Sequence, residues 1–90
     1  MQTIRIIVEG LVQGVFFRSV TKDECDKLGI KGRVKNLPDD SVEIIATGDK
    51  EKLQQLIEFC KTNPGRSEVK KVTTQDIPLE SFRNFSIAYF

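Results

Sequence analysis

The sequence predicts a single α+β domain, a sandwich in which two helices cover one face of a mainly antiparallel sheet. Its 90 residues suffice for one modest hydrophobic core. The apolar residues alternate between a period of two, typical of strands, and a period near 3.6, typical of helices. Turns containing glycine or proline separate these segments. We therefore expect residues 1–90 to form one domain without a linker or an internal repeat.

The first two elements are a strand and a helix, joined by a turn with two glycines. The alternating apolar residues of the strand are Ile4, Ile6 and Val8. The apolar face of the helix comprises Phe17, Thr21, Cys25 and Leu28. Gly29 is a typical helix stop. Because Thr21 and Glu24 also fit a capping box, the first turn of this helix could begin anywhere between residues 17 and 22.

A hairpin follows. Residues 30–36 alternate as a strand, residues 37–41 have the composition of a turn, and apolar alternation resumes over residues 42–46.

A second helix and two further strands complete the chain. Asp49 is placed to cap the helix, which should end at the Asn-Pro-Gly of residues 63–65. The helical apolar residues are Leu53, Leu56, Ile57 and Cys60. A strand is expected around residues 69–74, and a short one over residues 85–89, where Phe85, Ile87 and Tyr89 alternate.

The order β-α-β-β-α-β with an extra short C-terminal strand matches the ferredoxin-like α/β sandwich. In this topology the first two strands run parallel, with the third strand between them. Their C-terminal ends then share one edge of the sheet, roughly 9–10 Å apart. The loop over residues 10–17 leaves the first strand at that edge, and Asn36 closes the second strand there. We therefore expect Arg18 and Asn36 to face one small space.

Composition and charge exclude several classes of function. The net charge of +1 provides no broad basic field for nucleic acid. The absence of histidine excludes a histidine-based triad or phosphohistidine, and the 35-residue separation of Cys25 and Cys60 fits no metal site. No signal peptide or membrane-spanning run is present. These features predict a cytoplasmic protein with reduced, buried thiols and without a membrane or nucleic-acid partner.

The turn before the first helix has the features of an anion site. A glycine-containing turn from a strand into a helix exposes backbone N–H groups, and Arg18 adds a planar cation that can grip two phosphate oxygens. Without an anion, Arg18 is unfavourable beside the positive end of a helix. Alternatively, the glycines only reverse the chain, Arg18 pairs with a surface carboxylate, and Asn36 is a simple turn residue. The candidate carboxylates are those of Glu9, Asp23 and Glu24.

Two motifs carry a resemblance to a known family. Residues 10–18, GLVQGVFFR, closely resemble the acylphosphatase signature G-x-V-Q-G-V-x-F-R. Residues 29–40, GIKGRVKNLPDD, are similar to its second signature, G-x-x-G-x-V-x-N-x-x-D-G. The departure is Asp40, where the family usually has glycine. If the turn requires a positive φ there, aspartate tolerates it at a cost of roughly 1–2 kcal/mol.

The resemblance implies an enzyme that hydrolyses the carboxyl–phosphate bond of small acyl phosphates without metal, cofactor or covalent intermediate. It assigns phosphate binding to Arg18 and to the loop residues Gln13, Gly14, Val15, Phe16 and Phe17. It assigns the positioning of the attacking water to Asn36. We expect inorganic phosphate or sulfate to compete with the substrate, and we expect a monomer.

Three alternatives compete with this prediction. A non-catalytic anion-binding or interaction module could share the fold. An RNA-binding module is disfavoured because the first strand offers no aromatic residue, and Phe16 and Phe17 are expected to pack the loop down. Residues 60–67 spell C-x5-R-S, the pattern of cysteine-dependent phosphatases, but Cys60 would end a helix rather than follow a strand.

Overall fold

The computed structural model describes residues 1–89, and its order of elements is the predicted one. The elements are β1 (Gln2–Leu11), α1 (Phe17–Leu28), β2 (Lys31–Asn36), β3 (Val42–Gly48), α2 (Lys50–Cys60), β4 (Glu68–Ile77) and β5 (Phe85–Ile87). No helix among residues 1–89 has the length and apolar character needed to cross a bilayer.

The five strands form one mixed sheet in the order β4-β1-β3-β2-β5. All neighbours are antiparallel except β2 and β5, which run parallel. Since β1 and β2 are both antiparallel to β3, they are parallel to each other, as the sequence predicts. Val8 and Asn36 both pair with Val42, from opposite sides. Val8 and Asn36 are therefore level and two strand spacings apart, roughly 9–10 Å, and β1 continues beyond this level to Leu11.

The hydrophobic core lies between the sheet and the two helices. Fully buried residues of the sheet, Ile6, Val34 and Ile44, pack with the apolar faces of the helices. The helix residues in this core are Phe17, Cys25, Leu53, Leu56 and Cys60. Burying a large apolar side chain contributes about 1.5–3 kcal/mol, so this layer anchors both ends of α1.

The connection between β4 and β5 crosses the other face of the sheet, because these strands lie at opposite edges. Residues 78–84 form this strap. Thr3 and Thr47, both buried, hold it through Glu80: the Thr47 hydroxyl donates to the Glu80 carbonyl at 2.7 Å, and the Glu80 amide donates to Thr3 Oγ1 at 2.8 Å. The guanidinium of Arg33 lies 5.6 Å from the ring centroid of Phe82. The strap thereby places β5 beside β2, at the edge of the sheet opposite β4.

Several boundaries differ from the sequence-based expectation. Helix α1 begins at Phe17, and Thr21 is fully buried inside it instead of capping it. Asp49 stands at the N-cap of α2, but its side chain makes no capping hydrogen bond. Strand β1 continues to Leu11 through a bulge, where Gly10 has φ +130° and passes so close to β4 that a Cβ would lie 2.2 Å from the Glu68 carbonyl oxygen.

Candidate active site

No side chain of residues 1–89 caps the N-terminus of α1. Its N-cap residue, Phe16, makes no side-chain hydrogen bond to the helix, and the first turn contains no acidic residue. The first helical hydrogen bond runs from the Val20 amide to the Phe16 carbonyl at 3.1 Å. The amides of Phe17, Arg18 and Ser19 precede it, and they have no hydrogen-bond acceptor among residues 1–89. This end of the helix therefore presents free donors and a positive partial charge.

Two left-handed residues shape the loop that leads into α1. Gly14 has φ +71° and Phe16 has φ +67°. Between them, the Val15 carbonyl accepts a hydrogen bond from the Arg66 amide at 3.1 Å. Since a trans peptide is planar, the Phe16 N–H points away from Arg66, opposite to the Val15 carbonyl. The loop conformation thus adds another outward N–H to those at the helix end.

Arg18 lines a cavity of about 340 Å³ at this helix end. The lining residues are Val12, Gly14, Phe16, Phe17, Arg18, Ser19, Ile87 and Tyr89. The Arg18 guanidinium lies 5.1 Å from the centroid of the Tyr89 ring. Within the described part of the chain it forms no ion pair, so the surface pairing with Glu9, Asp23 or Glu24 does not occur. No carboxylate side chain of residues 1–89 therefore competes with an anion in the cavity for this cation.

Gln13 ties the loop to the turn between β2 and β3. Its side-chain amide donates to the carbonyls of Leu37 at 2.9 Å and Ser41 at 2.8 Å. The turn closes on itself through the Leu37 amide, which donates to the Ser41 carbonyl at 2.9 Å. Asp40 has φ +72°, the conformation that favours glycine. Hydrogen bonds from Ser41 lower the pKa of the Asp39 carboxyl. The carboxylate that accepts these hydrogen bonds within the turn therefore stays ionised.

Asn36 stands at the end of β2, next to the carbonyl that Gln13 holds. It shares the helix-facing side of the sheet with Val34, two residues earlier, which is fully buried. Its Oδ1 atom is buried, and it has no hydrogen-bond partner among residues 1–89. Buried polar atoms of this kind are nearly always satisfied by water or a ligand. Asn36 is not among the residues that line the cavity.

The structure thus divides the candidate site residues. Gly14, Phe16, Phe17 and Arg18 share the cavity, whereas Asn36 lies outside it and the Val15 carbonyl is turned toward Arg66. Phe17 is buried and packs the loop down as expected. Phe16 does not, and its side chain is 64% exposed. That expectation was wrong, because the left-handed backbone turns the Phe16 ring outward.

Sequence reasoning missed two contributions to this region. The side-chain hydrogen bonds of Gln13 had no signal in the sequence, since they join residues 24 and 28 positions apart. Ile87 and Tyr89 reach the cavity only through the parallel pairing of β5 with β2. Their alternation with Phe85 indicated a strand, but not the strand beside which it would lie.

The two cysteines are buried and free. Burial raises the pKa of the Cys60 thiol to about 12 and raises the pKa of the Cys25 thiol further. A phosphatase cysteine requires the opposite shift. Cys60 also ends α2, where the helix dipole disfavours a thiolate. Among residues 1–89, no three or more Cys, Asp or Glu side chains are grouped so that they could hold a metal ion.

Comparisons with known proteins agree on one family. The acylphosphatase family model matches residues 4–87. An acylphosphatase of Thermoplasma volcanium is 40% identical over 87 residues, which cover 97% of each chain. The crystal structure of acylphosphatase from Bacillus subtilis superposes with a TM-score of 0.94 at 41% identity, covering 99% of this chain and 100% of that one. An acylphosphatase structure from Coxiella burnetii gives a TM-score of 0.92 at 32% identity, covering 97% of this chain and 92% of that one.

Proposed function

The chain belongs to the acylphosphatase family and is an enzyme that hydrolyses acyl phosphates, and on that premise we propose how its residues divide the reaction. The backbone amides of residues 13–17 and the guanidinium of Arg18 bind the phosphoryl group. Asn36 positions the attacking water. The reaction requires neither a metal nor a covalent enzyme intermediate.

The uncapped end of α1 is the observation that carries this proposal. The amides of Phe16, Phe17, Arg18 and Ser19 have no acceptor, and the Arg18 guanidinium has no ion pair, within residues 1–89. All four residues line one cavity. A bound phosphoryl group would accept hydrogen bonds from these donors, each contributing on the order of 1.5–3 kcal/mol. The negative charge of the phosphoryl group would also offset the repulsion between Arg18 and the positive end of the helix.

The role of Asn36 is supported by its unpaired Oδ1 and by the spacing of the strands. This oxygen can accept a hydrogen bond from a water molecule and so direct the water lone pair at phosphorus. The ends of β1 and β2 are roughly 9–10 Å apart, which leaves room for a phosphoryl group and one water between the side chains. Gln13 fixes the loop against the turn that follows Asn36 and so holds the two halves in register.

The reaction needs few groups beyond the loop amides, Arg18 and Asn36. Water forms a bond to phosphorus while the bond from phosphorus to the acyl oxygen breaks, and the acyl group leaves as a carboxylate. The water proton passes to a phosphoryl oxygen. Because a carboxylate is a good leaving group, the transition state is loose, and catalysis consists of stabilising the equatorial oxygens and aligning the water. A chain without histidine can do both.

The experiment that tests this scheme is hydrolysis of benzoyl phosphate in ¹⁸O-labelled water with EDTA present. We expect full turnover, with one label per molecule of inorganic phosphate and none in benzoate. Label in benzoate would mean attack at carbon and would refute the assigned water position. Activity that EDTA abolishes and Mg²⁺ restores would refute metal independence. Saturable phosphate binding without turnover would instead support a non-catalytic anion-binding module.

We also infer the setting in which the enzyme works. Two buried free thiols are compatible with a reducing, cytoplasmic compartment. A single-domain monomer is proposed for residues 1–90, with inorganic phosphate or sulfate as competing ligands. Light scattering after size-exclusion chromatography tests the monomer, and competitive inhibition by phosphate and sulfate tests the ligand class.

A further inference from the structure

We propose that the side chains of Phe16, Ile87 and Tyr89 form a subsite for an apolar, flat acyl group. The enzyme would therefore favour acyl phosphates with an aromatic acyl group over those with a small one such as acetyl. This inference rests on the proposed function, because it places the phosphoryl group at Arg18 and the end of α1.

The cavity is larger than the phosphoryl group requires. A phosphoryl group contributes only four non-hydrogen atoms, whereas pockets upward of about 300 Å³ hold ligands of drug size. The volume of about 340 Å³ leaves space beside the helix end. Five of the eight described lining residues have apolar or aromatic side chains: Val12, Phe16, Phe17, Ile87 and Tyr89.

Two of these side chains contribute little to the stability of the fold. Phe16 and Tyr89 are 64% and 72% exposed, so their rings gain little from burial. Phe16 also occupies the left-handed region at φ +67°, which costs a non-glycine residue roughly 1–2 kcal/mol. A glycine at position 16 would avoid this backbone cost. An aromatic ring retained at such a position is typical of a contact made with a ligand.

The position of Tyr89 suits a group attached to a phosphate at Arg18. Its ring centroid lies 5.1 Å from the Arg18 guanidinium. A guanidinium can stack its flat face on a ring while its N–H edge binds phosphate, so the two contacts are compatible. The parallel pairing of Val34 with Ile87, and the 2.8 Å hydrogen bond from the Ala88 amide to the Val34 carbonyl, hold this segment in place.

The charges around the cavity favour an apolar acyl group over a charged one. Among the described residues that line it, Arg18 is the only charged one, and the phosphoryl group uses that charge. Arg66 lies 5.8 Å from the centroid of the Phe16 ring, but it is not a lining residue. A carboxylate or ammonium on the acyl group would therefore lose its hydration without gaining a partner.

The test compares kcat/KM for benzoyl phosphate with kcat/KM for acetyl phosphate in each variant. We expect Tyr89→Ala and Phe16→Gly each to lower the benzoyl-to-acetyl ratio by roughly tenfold relative to the unmodified enzyme. Tyr89→Phe keeps the ring and should keep the ratio. The matched control is Leu79→Ala, since Leu79 is 65% exposed on the strap and does not line the cavity; it should leave both values unchanged.

Misfolding would not explain the expected loss, because glycine favours the backbone conformation of residue 16. If Tyr89→Ala lowers kcat/KM for both substrates equally and weakens phosphate inhibition, Tyr89 acts only by orienting Arg18. That result would overturn the acyl subsite and leave the proposed function intact. An unchanged ratio in both variants would also overturn it. If the unmodified enzyme hydrolyses neither substrate, the proposed function itself fails.

Discussion

Residues 10–18 and residues 60–67 both combine glycine and arginine in an order typical of phosphate-binding loops, yet they face helices from opposite ends. The first segment leaves a strand and enters the N-terminus of α1, where the partial charge is positive. The second leaves the C-terminus of α2, where it is negative. Residue types alone do not distinguish them, because the direction of the adjacent helix sets the sign of the field.

The two segments also differ in the hydrogen bonds that their backbone amides make. In the second, the amides of Lys61, Thr62 and Ser67 donate to carbonyls of the chain at 3.1, 3.0 and 3.2 Å. The Arg66 amide donates to the first segment. In the first segment the amides at the helix end are free within residues 1–89. The segment over residues 60–67 therefore supports the conformation of the other loop and offers few donors of its own.

The two arginines, Arg18 and Arg66, should differ most strongly in their effect on activity. Arg18→Ala should lower kcat/KM for benzoyl phosphate by roughly 10³-fold or more, because the charge on the transferring group loses its cation. Arg18→Lys should not restore activity, since an ammonium lacks the planar fork. The matched variant Arg66→Ala should cost at most about fivefold, because it removes only an exposed contact with Phe16. Steady-state kinetics and phosphate inhibition measure both, and equal losses would contradict the distinction.

A smaller loss of activity is expected at Asn36, at the end of β2. Asn36→Ala should lower kcat by on the order of 10²–10³-fold, because the aligned water is needed only in the transition state. The inhibition constant of inorganic phosphate should stay nearly unchanged. If phosphate binding weakens as much as turnover, Asn36 grips the ligand or supports the fold, and the water-positioning role is wrong.

Gln13 gives a third, intermediate effect. Gln13→Ala removes two hydrogen bonds, one to the Leu37 carbonyl and one to the Ser41 carbonyl, and each carbonyl keeps only its backbone donor. At about 0.5–1.5 kcal/mol for each hydrogen bond, the free energy of unfolding should fall by about 1–3 kcal/mol. The loop then loses its fixed distance from Asn36, and kcat should fall by roughly tenfold. Gln13→Glu should be worse, because a carboxylate would face two carbonyl oxygens. Urea unfolding and kinetics on the same preparations separate the two effects.

The smallest effect on activity is expected at Cys60. Cys60→Ala should leave kcat/KM unchanged while lowering the free energy of unfolding by about 1 kcal/mol, since it only removes a buried sulfur. Loss of activity in this variant, or on treatment of the native enzyme with iodoacetamide, would support a cysteine-dependent phosphatase site at residues 60–67.

The pH dependence of stability gives an independent check on the buried thiol. The Cys60 thiol has a pKa of about 12 in the folded protein against 9.0 for the free group. The folded state therefore holds its proton to higher pH than the unfolded state, and the stabilisation present below pH 9 is lost as pH rises toward 12. Cys60→Ala should reduce this slope, and the part due to the Cys25 thiol, whose pKa burial also raises, should remain; denaturation at a series of pH values measures the difference.

The sequence predicted the elements and the topology because both depend on local pattern. Apolar periodicity located the helices and strands, and the order of elements placed the ends of β1 and β2 at one edge. The exposed ring of Phe16, the reach of Tyr89 and the hydrogen bonds of Gln13 were not predictable in this way. Each depends on contacts between distant segments or on a left-handed backbone that no neighbouring residue signals.

The parallel placement of β1 and β2 on either side of β3 has a consequence for inheritance. Their separation is a property of main-chain pairing, so few positions along the strands require a particular residue; Gly32 is one, because a Cβ there would clash with the Ile45 carbonyl. Homologous proteins can therefore differ at most positions of this sheet and keep the same separation between β1 and β2. Proteins that retain only about four identities in ten can therefore superpose almost completely, as the Bacillus subtilis structure does.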